Sequence, residues 1–110
     1  MTLSDIVLQT IETYLRQADV DAFCEQEKMT EETFCDAFAQ HVATRYLAGQ
    51  LNYQSADIAM ADLFGHFPAT IPEFAFAVFQ CFDVGEWHAT KGADPDKITR
   101  PLVQKLLAAK

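Results

Sequence analysis

Thr70-Ile71-Pro72-Glu73-Phe74-Ala75-Phe76-Ala77-Val78-Phe79-Gln80-Cys81-Phe82-Asp83-Val84 decides the fold. The run is too long for an ordinary buried strand and is richer in Ala and Phe than in Val and Ile, so it is predicted to be helical. Thr70 stands near an N-cap position. Pro72 suits a first turn, where its missing N–H has no partner to lose, and Glu73 meets the positive end of the helix dipole. Gly85 is read as a C′ residue, so the helix either ends near Val84, at about 72–84, or is weakened there before Glu86-Trp87-His88. Phe74, Val78, Cys81 and Phe82 follow i, i+4, i+7, i+8 spacing and form a core side, widened by Ala75 and Phe79. The opposite stripe holds Phe76, Gln80, Asp83 and, past the glycine, Trp87. A helix apolar nearly all round is buried by several neighbours. The expected fold is therefore an all-α single domain spanning 1–110, a bundle of five or six helices around this one. The stripe has two readings: further helices cover Phe76 and Trp87, or the two aromatics mark a partner-binding or dimer surface.

Upstream, Ala56 to about Phe67 is predicted to be a helix capped by Ser55, with Ala56, Met60, Leu63, Phe64 and Phe67 inside and Asp57, Asp62 and His66 on its polar side. The short Pro68-Ala69-Thr70 turn makes this helix and the next an antiparallel hairpin. Asp62 and His66, four apart, are read as a solvent-exposed ion pair, with two metal ligands as the sharper alternative. Thr30 caps a helix running to about Ala48, stopped by Gly49, with Phe34, Cys35, Phe38, Val42 and Tyr46 inside and Asp36, Gln40 and Thr44 outward. His41 and Arg45 flank its apolar arc. Arg45 is read as snorkelling, against a buried carboxylate pair or an anion site. A capping box at Thr2–Asp5, or Ser4 as the alternative cap, starts a helix expected to reach about Ala18, its inner face Leu3, Val7, Ile11, Tyr14, Leu15 and Ala18. A short helix capped by Asp19 or Asp21 follows, carrying Val20, Phe23 and Cys24.

Downstream of Gly85, Glu86 to Ala93 is expected to be a loop. Asp94-Pro95 starts a helical turn, and Pro101 makes a break or a second start, with the last helix at about 101–109.

Half of the 110 residues are hydrophobic and nine are Phe, enough for one core without a disulfide or metal staple. The net charge of −8 repels phosphate backbones and anionic lipid, which argues against nucleic-acid and membrane partners and permits a basic protein partner. Cys24, Cys35 and Cys81 form no CxxC pair and are read as reduced core thiols of a cytoplasmic protein. No basic n-region precedes the first helix, and no apolar run is long enough to span a bilayer.

Chemistry-bearing motifs are missing. There is no phosphate loop, dinucleotide fingerprint, nucleophile elbow or HExxH, and both serines are better used as caps. His41, His66 and His88 have no ligand spacing, so no metal, cofactor or catalytic residue is assigned. The densest polar cluster is Asp83, Glu86, Trp87 and His88, a small-ligand or partner site unless Trp87 simply plugs the bundle end. The sequence names no activity. Its leading reading is a non-enzymatic interaction, regulatory or inhibitor module using its acidic surface or the Phe76/Trp87 stripe, acting on a protein partner or as a homodimer. The alternative is a small-ligand-binding or enzymatic domain with His41, Arg45 and the 83–88 segment around a pocket. An acidic mimic of nucleic acid is a third reading.

Overall fold

The computed structural model describes all 110 residues. They form six helices and no strand: α1 Leu3–Glu12, α2 Gln17–Glu27, α3 Glu31–Leu47, α4 Tyr53–His66, α5 Glu73–Ala89 and α6 Pro95–Ala109. The apolar run is the heart of α5. This helix is flanked by α4 and α6 and backed by α3, which itself touches all five other helices. One core joins them, with Phe34, Phe38 and Tyr46 from α3, Met60 and Leu63 from α4, Val78 and Phe82 from α5 and Val103 from α6. α4 and α5 form the expected hairpin. No disulfide forms; Cys35 and Cys81 are buried and Cys24 is half-buried. Burial and neighbouring carboxylates push the Cys35 thiol up to about 12, which makes it inert. No helix is long and apolar enough to cross a membrane.

Several boundaries differ from expectation, each because a tertiary contact outweighs local pattern. α1 stops at Glu12 and not near Ala18. The carboxylate of Asp62 on α4 accepts the Leu15 N–H at 2.6 Å, which draws the chain out of the helix and turns Leu15 inward. Tyr14 is left 55% exposed and Ala18 is exposed too, while Ile6 and Thr10, outside the expected inner face, are buried. α2 then starts at Gln17, whose amide reaches Asp21, Glu31 and His66. Asp62 and His66 therefore serve separate partners and do not form the expected pair.

The N-termini of α4 and α5 differ as well. Asn52, not Ser55, caps α4 by accepting the Ser55 N–H at 2.8 Å. α5 has Pro72 at its N-cap, with no side-chain acceptor of its own. Asp36, expected to point outward from α3, supplies one across the core and accepts the Ala75 N–H at 3.2 Å. That bond satisfies an orphan donor and sets a negative charge at the helix's positive end.

The largest correction is at Gly85. α5 runs straight through it to Ala89, so Glu86, Trp87 and His88 are helical and not in a loop. Gly85 is buried because a Cβ there would sit 2.1 Å from Thr99 Oγ1 and 3.0 Å from the Pro95 carbonyl. The missing side chain admits α6. Thr99 donates to the Cys81 carbonyl at 2.8 Å, and Tyr53 donates to that of Phe82. α6 is also continuous, with Pro101 inside it on the solvent side. Pro101 has no N–H to offer the Lys97 carbonyl, so that one intrahelical bond is missing. A polar clasp holds α6 to α3: the Tyr46 hydroxyl donates to the Asp96 carboxylate, Arg100 stands 4.7 Å from the Tyr46 ring centroid, and its Nη1 donates to the Leu47 carbonyl at 3.3 Å.

Candidate functional site

The hairpin geometry brings together residues far apart in sequence. Pro68–Thr70 makes the turn, so residues equidistant from Thr70 face each other across α4 and α5. Phe64 and Phe76 lie six residues to either side of Thr70, and Asp57 and Asp83 lie thirteen to either side. The first pair becomes an aromatic slab. Phe64 stacks on Phe79 with ring centroids 4.4 Å apart and planes 13° from parallel, and Phe76 lies 5.7 Å from Phe64 and 6.0 Å from Phe79. All three rings are half-buried, with one side of the slab open to water. The second pair becomes an acidic cluster. Asp57 is half-buried beside Asp83 and Glu86, and its carboxyl is pushed up to about 6, chiefly by burial and then by the Glu86 carboxylate, which also lies within its hydrogen-bonding reach. No salt bridge compensates it: the protein's one ion pair is Arg100–Asp96.

Gln80 is exposed on α5 between slab and cluster. Trp87 closes the stripe one turn beyond Asp83. It is 58% exposed and does not plug the bundle end. Its ring packs edge-on against half-buried His88 at 5.0 Å, and the Lys91 ammonium stands 5.2 Å from its centroid. Phe76, Gln80, Asp83, Glu86 and Trp87 thus share one continuous face. Phe64, Phe79 and Asp57 complete it. Phe64 and Phe79 are expected in the core and Asp57 among ordinary polar residues, although the equal distances of Phe64 and Phe76, and of Asp57 and Asp83, from the turn are legible in the sequence.

His41 and Arg45 belong elsewhere. They line a cleft of about 120 Å³ between α1 and the C-terminal part of α3, together with Ser4, Val7, Leu8, Gln50 and Leu51. Arg45 snorkels as expected: it is exposed and donates to Gln50 Oε1 at 2.9 Å. Burial, then the Arg45 charge, lowers the His41 pKa. Asp83, Glu86, Trp87 and His88 contribute nothing to this cleft. The constellation expected of an enzymatic or small-ligand domain therefore falls into two separate places. Nowhere in the fold do three His, Cys, Asp or Glu side chains converge in the manner of a metal site. No protein-family model, curated protein or solved structure matches the chain.

Proposed function

We propose that this protein is a non-enzymatic interaction module that presents the outer face of the α4–α5 hairpin to a basic, partly apolar segment of another protein. One observation carries the reading. A half-buried, uncompensated carboxyl at Asp57, backed by Asp83 and Glu86, shares the hairpin face with the half-buried Phe64/Phe76/Phe79 slab. Uncompensated charge against low-dielectric surface is costly in the free protein, and a Lys or Arg from a partner relieves it. Aromatic rings beside the charges give that partner an apolar anchor and a cation–π surface. A regulator or inhibitor of a basic protein has this design: charge steers the encounter and the slab slows release.

Trp87, the chain's single tryptophan, makes the face its own reporter. Titration with a Lys- and Leu-bearing amphipathic peptide should shift Trp87 emission. Binding should weaken with salt and tighten as pH rises from 5 to 7, because a bound cation favours the ionised Asp57. Asp83→Lys with Glu86→Lys should abolish it. An emission change that survives this double charge reversal would remove the hairpin face as the binding site.

A further inference from the structure

The opposite flank of α5 carries a second surface of opposite character. At about 100° per residue, the Phe74/Ala77/Cys81 row points nearly away from the Phe79/Asp83/Glu86 row. There α5 and α6 leave two overlapping recesses of about 280 and 290 Å³ that share Ala77, Leu106 and Ala109. Phe74, Cys81 and Leu102 extend the apolar floor. Lys105 and Lys110 stand at its edges against a single carboxylate, Glu73 at the α5 end, which leaves the lining net basic; the Lys110 ammonium is 3.9 Å from the Phe74 ring centroid and donates to Gln40 Oε1 at 2.9 Å. The charge of the chain is split in the same sense. Residues 1–90 hold 14 acidic and 3 basic side chains, a balance of −11, and residues 91–110 hold 2 and 5, a balance of +3. Beyond Asp96 there is no acidic residue at all, against Lys97, Arg100, Lys105 and Lys110.

We infer that the α5–α6 groove docks an acidic amphipathic helix of a partner, its apolar side chains on the Ala77–Leu106 floor and its carboxylates on Lys105 and Lys110. Small residues at 77 and 109 let a third backbone approach, as helix packing requires. Rows spaced 74/77/81 and 102/106/109 present about two turns, the length read by side chains at i, i+4 and i+7. Charge selects the occupant. A second copy docking by this same face would oppose two net-basic linings, each with Lys105 and Lys110 against one Glu73, and a net charge of −8 repels an anionic bilayer. The inference does not depend on the acidic hairpin face being a binding site.

The test is amide NMR of the ¹⁵N-labelled protein titrated with a capped peptide of about 16 residues, long enough for a marginal helix. It carries Leu at i, i+4, i+7 and i+11 flanked by Glu, and its control has Lys in place of each Glu. Expected are shifts confined to the amides around Ala77, Cys81, Leu102 and Leu106, an affinity about tenfold weaker in Lys105→Glu, and none in Ala109→Trp, where the indole fills the recess. Both substituted positions are exposed, so the fold persists, which the unperturbed remainder of the spectrum checks. Four results overturn the inference: no shifts with the Glu peptide, shifts away from the groove, equal binding of the Lys control, or the same amides perturbed more strongly by phosphatidylserine vesicles. Concentration-dependent shifts at the groove without peptide also overturn it, because the occupant is then a second copy.

Discussion

Two positions show how much single residues decide in this fold. At Gly85 the close approach of α6 leaves no space for a methyl group. Gly85→Ala should destabilise the protein by about 2–3 kcal/mol in urea melts, as overpacking at a backbone contact does. Adding Thr99→Ala removes the nearest clashing atom, so the double variant should lose less than the sum of the singles; strict additivity would refute a clash at this crossing. At Asp57 the folded carboxyl titrates at about 6, against 3.8 unfolded. The native state binds the extra proton between those values, so the contribution of Asp57 to stability is fully present below about pH 4 and is lost as pH rises through 6. Two units correspond to about 3 kcal/mol at a dry site, and the half-open position of Asp57 reduces this to about 1 kcal/mol. Asp57→Asn should therefore stabilise the protein by about that amount above pH 6 and change little below pH 4. Parallel stability curves for the two proteins across this range would show that Asp57 is not under strain. Its environment was legible only through the hairpin pairing, because nothing in its own helix distinguishes Asp57 from any surface aspartate.

Helices were the most legible scale, for reasons that also explain the errors. Period and capping chemistry are local, and they located the hairpin, the long α3 helix and the apolar α5. What ended or extended an element was not local: Asp62 reaching from α4 breaks α1, Asp36 reaching from α3 caps α5, and α6 turns Gly85 from a stop signal into a packing residue. The faces of α5 were blurred in the same way. Phe82 is fully buried against Tyr46 and Tyr53, with ring centroids 5.0 and 5.7 Å away. Phe74, expected beside it in the core, is half-buried under Lys110 at the groove. The order of losses on truncation to Ala follows. Phe82→Ala should cost about 3–5 kcal/mol, and Phe74→Ala and Phe76→Ala each about 1–2, since part of each ring is already in water. Equal midpoint shifts for all three in denaturant melts would mean that α5 is buried evenly on every side and that neither flank is available to a partner.

At the scale of the whole molecule, α5 separates two surfaces that cannot serve each other within a symmetric pair. A closed two-fold dimer is isologous, so each patch meets its own copy. Through the hairpin face this would bring two sets of Asp57, Asp83 and Glu86 together, and through the groove two sets of Lys105 and Lys110, each offset by only one Glu73. Like charges at contact are unfavourable in either case. The only complementary self-contact is acidic face to basic groove, a head-to-tail contact that propagates instead of closing unless its rotation happens to make a ring. Opposite charges on opposite flanks therefore point to different partners on the two sides of one helix. The expected solution state at micromolar concentration and physiological salt is a monomer of 12.3 kDa. Light scattering at low and high ionic strength tests this. Growth of the mass at low salt, reversed by salt, would reveal the head-to-tail contact, because screening weakens attraction between exposed opposite charges. A salt-independent dimer that Phe76→Ala or Trp87→Ala dissociates would assign the aromatic stripe to self-association. The charge argument would then have failed, because apolar burial along Phe64, Phe76, Phe79 and Trp87 would have outweighed the repulsion of the carboxylates beside it.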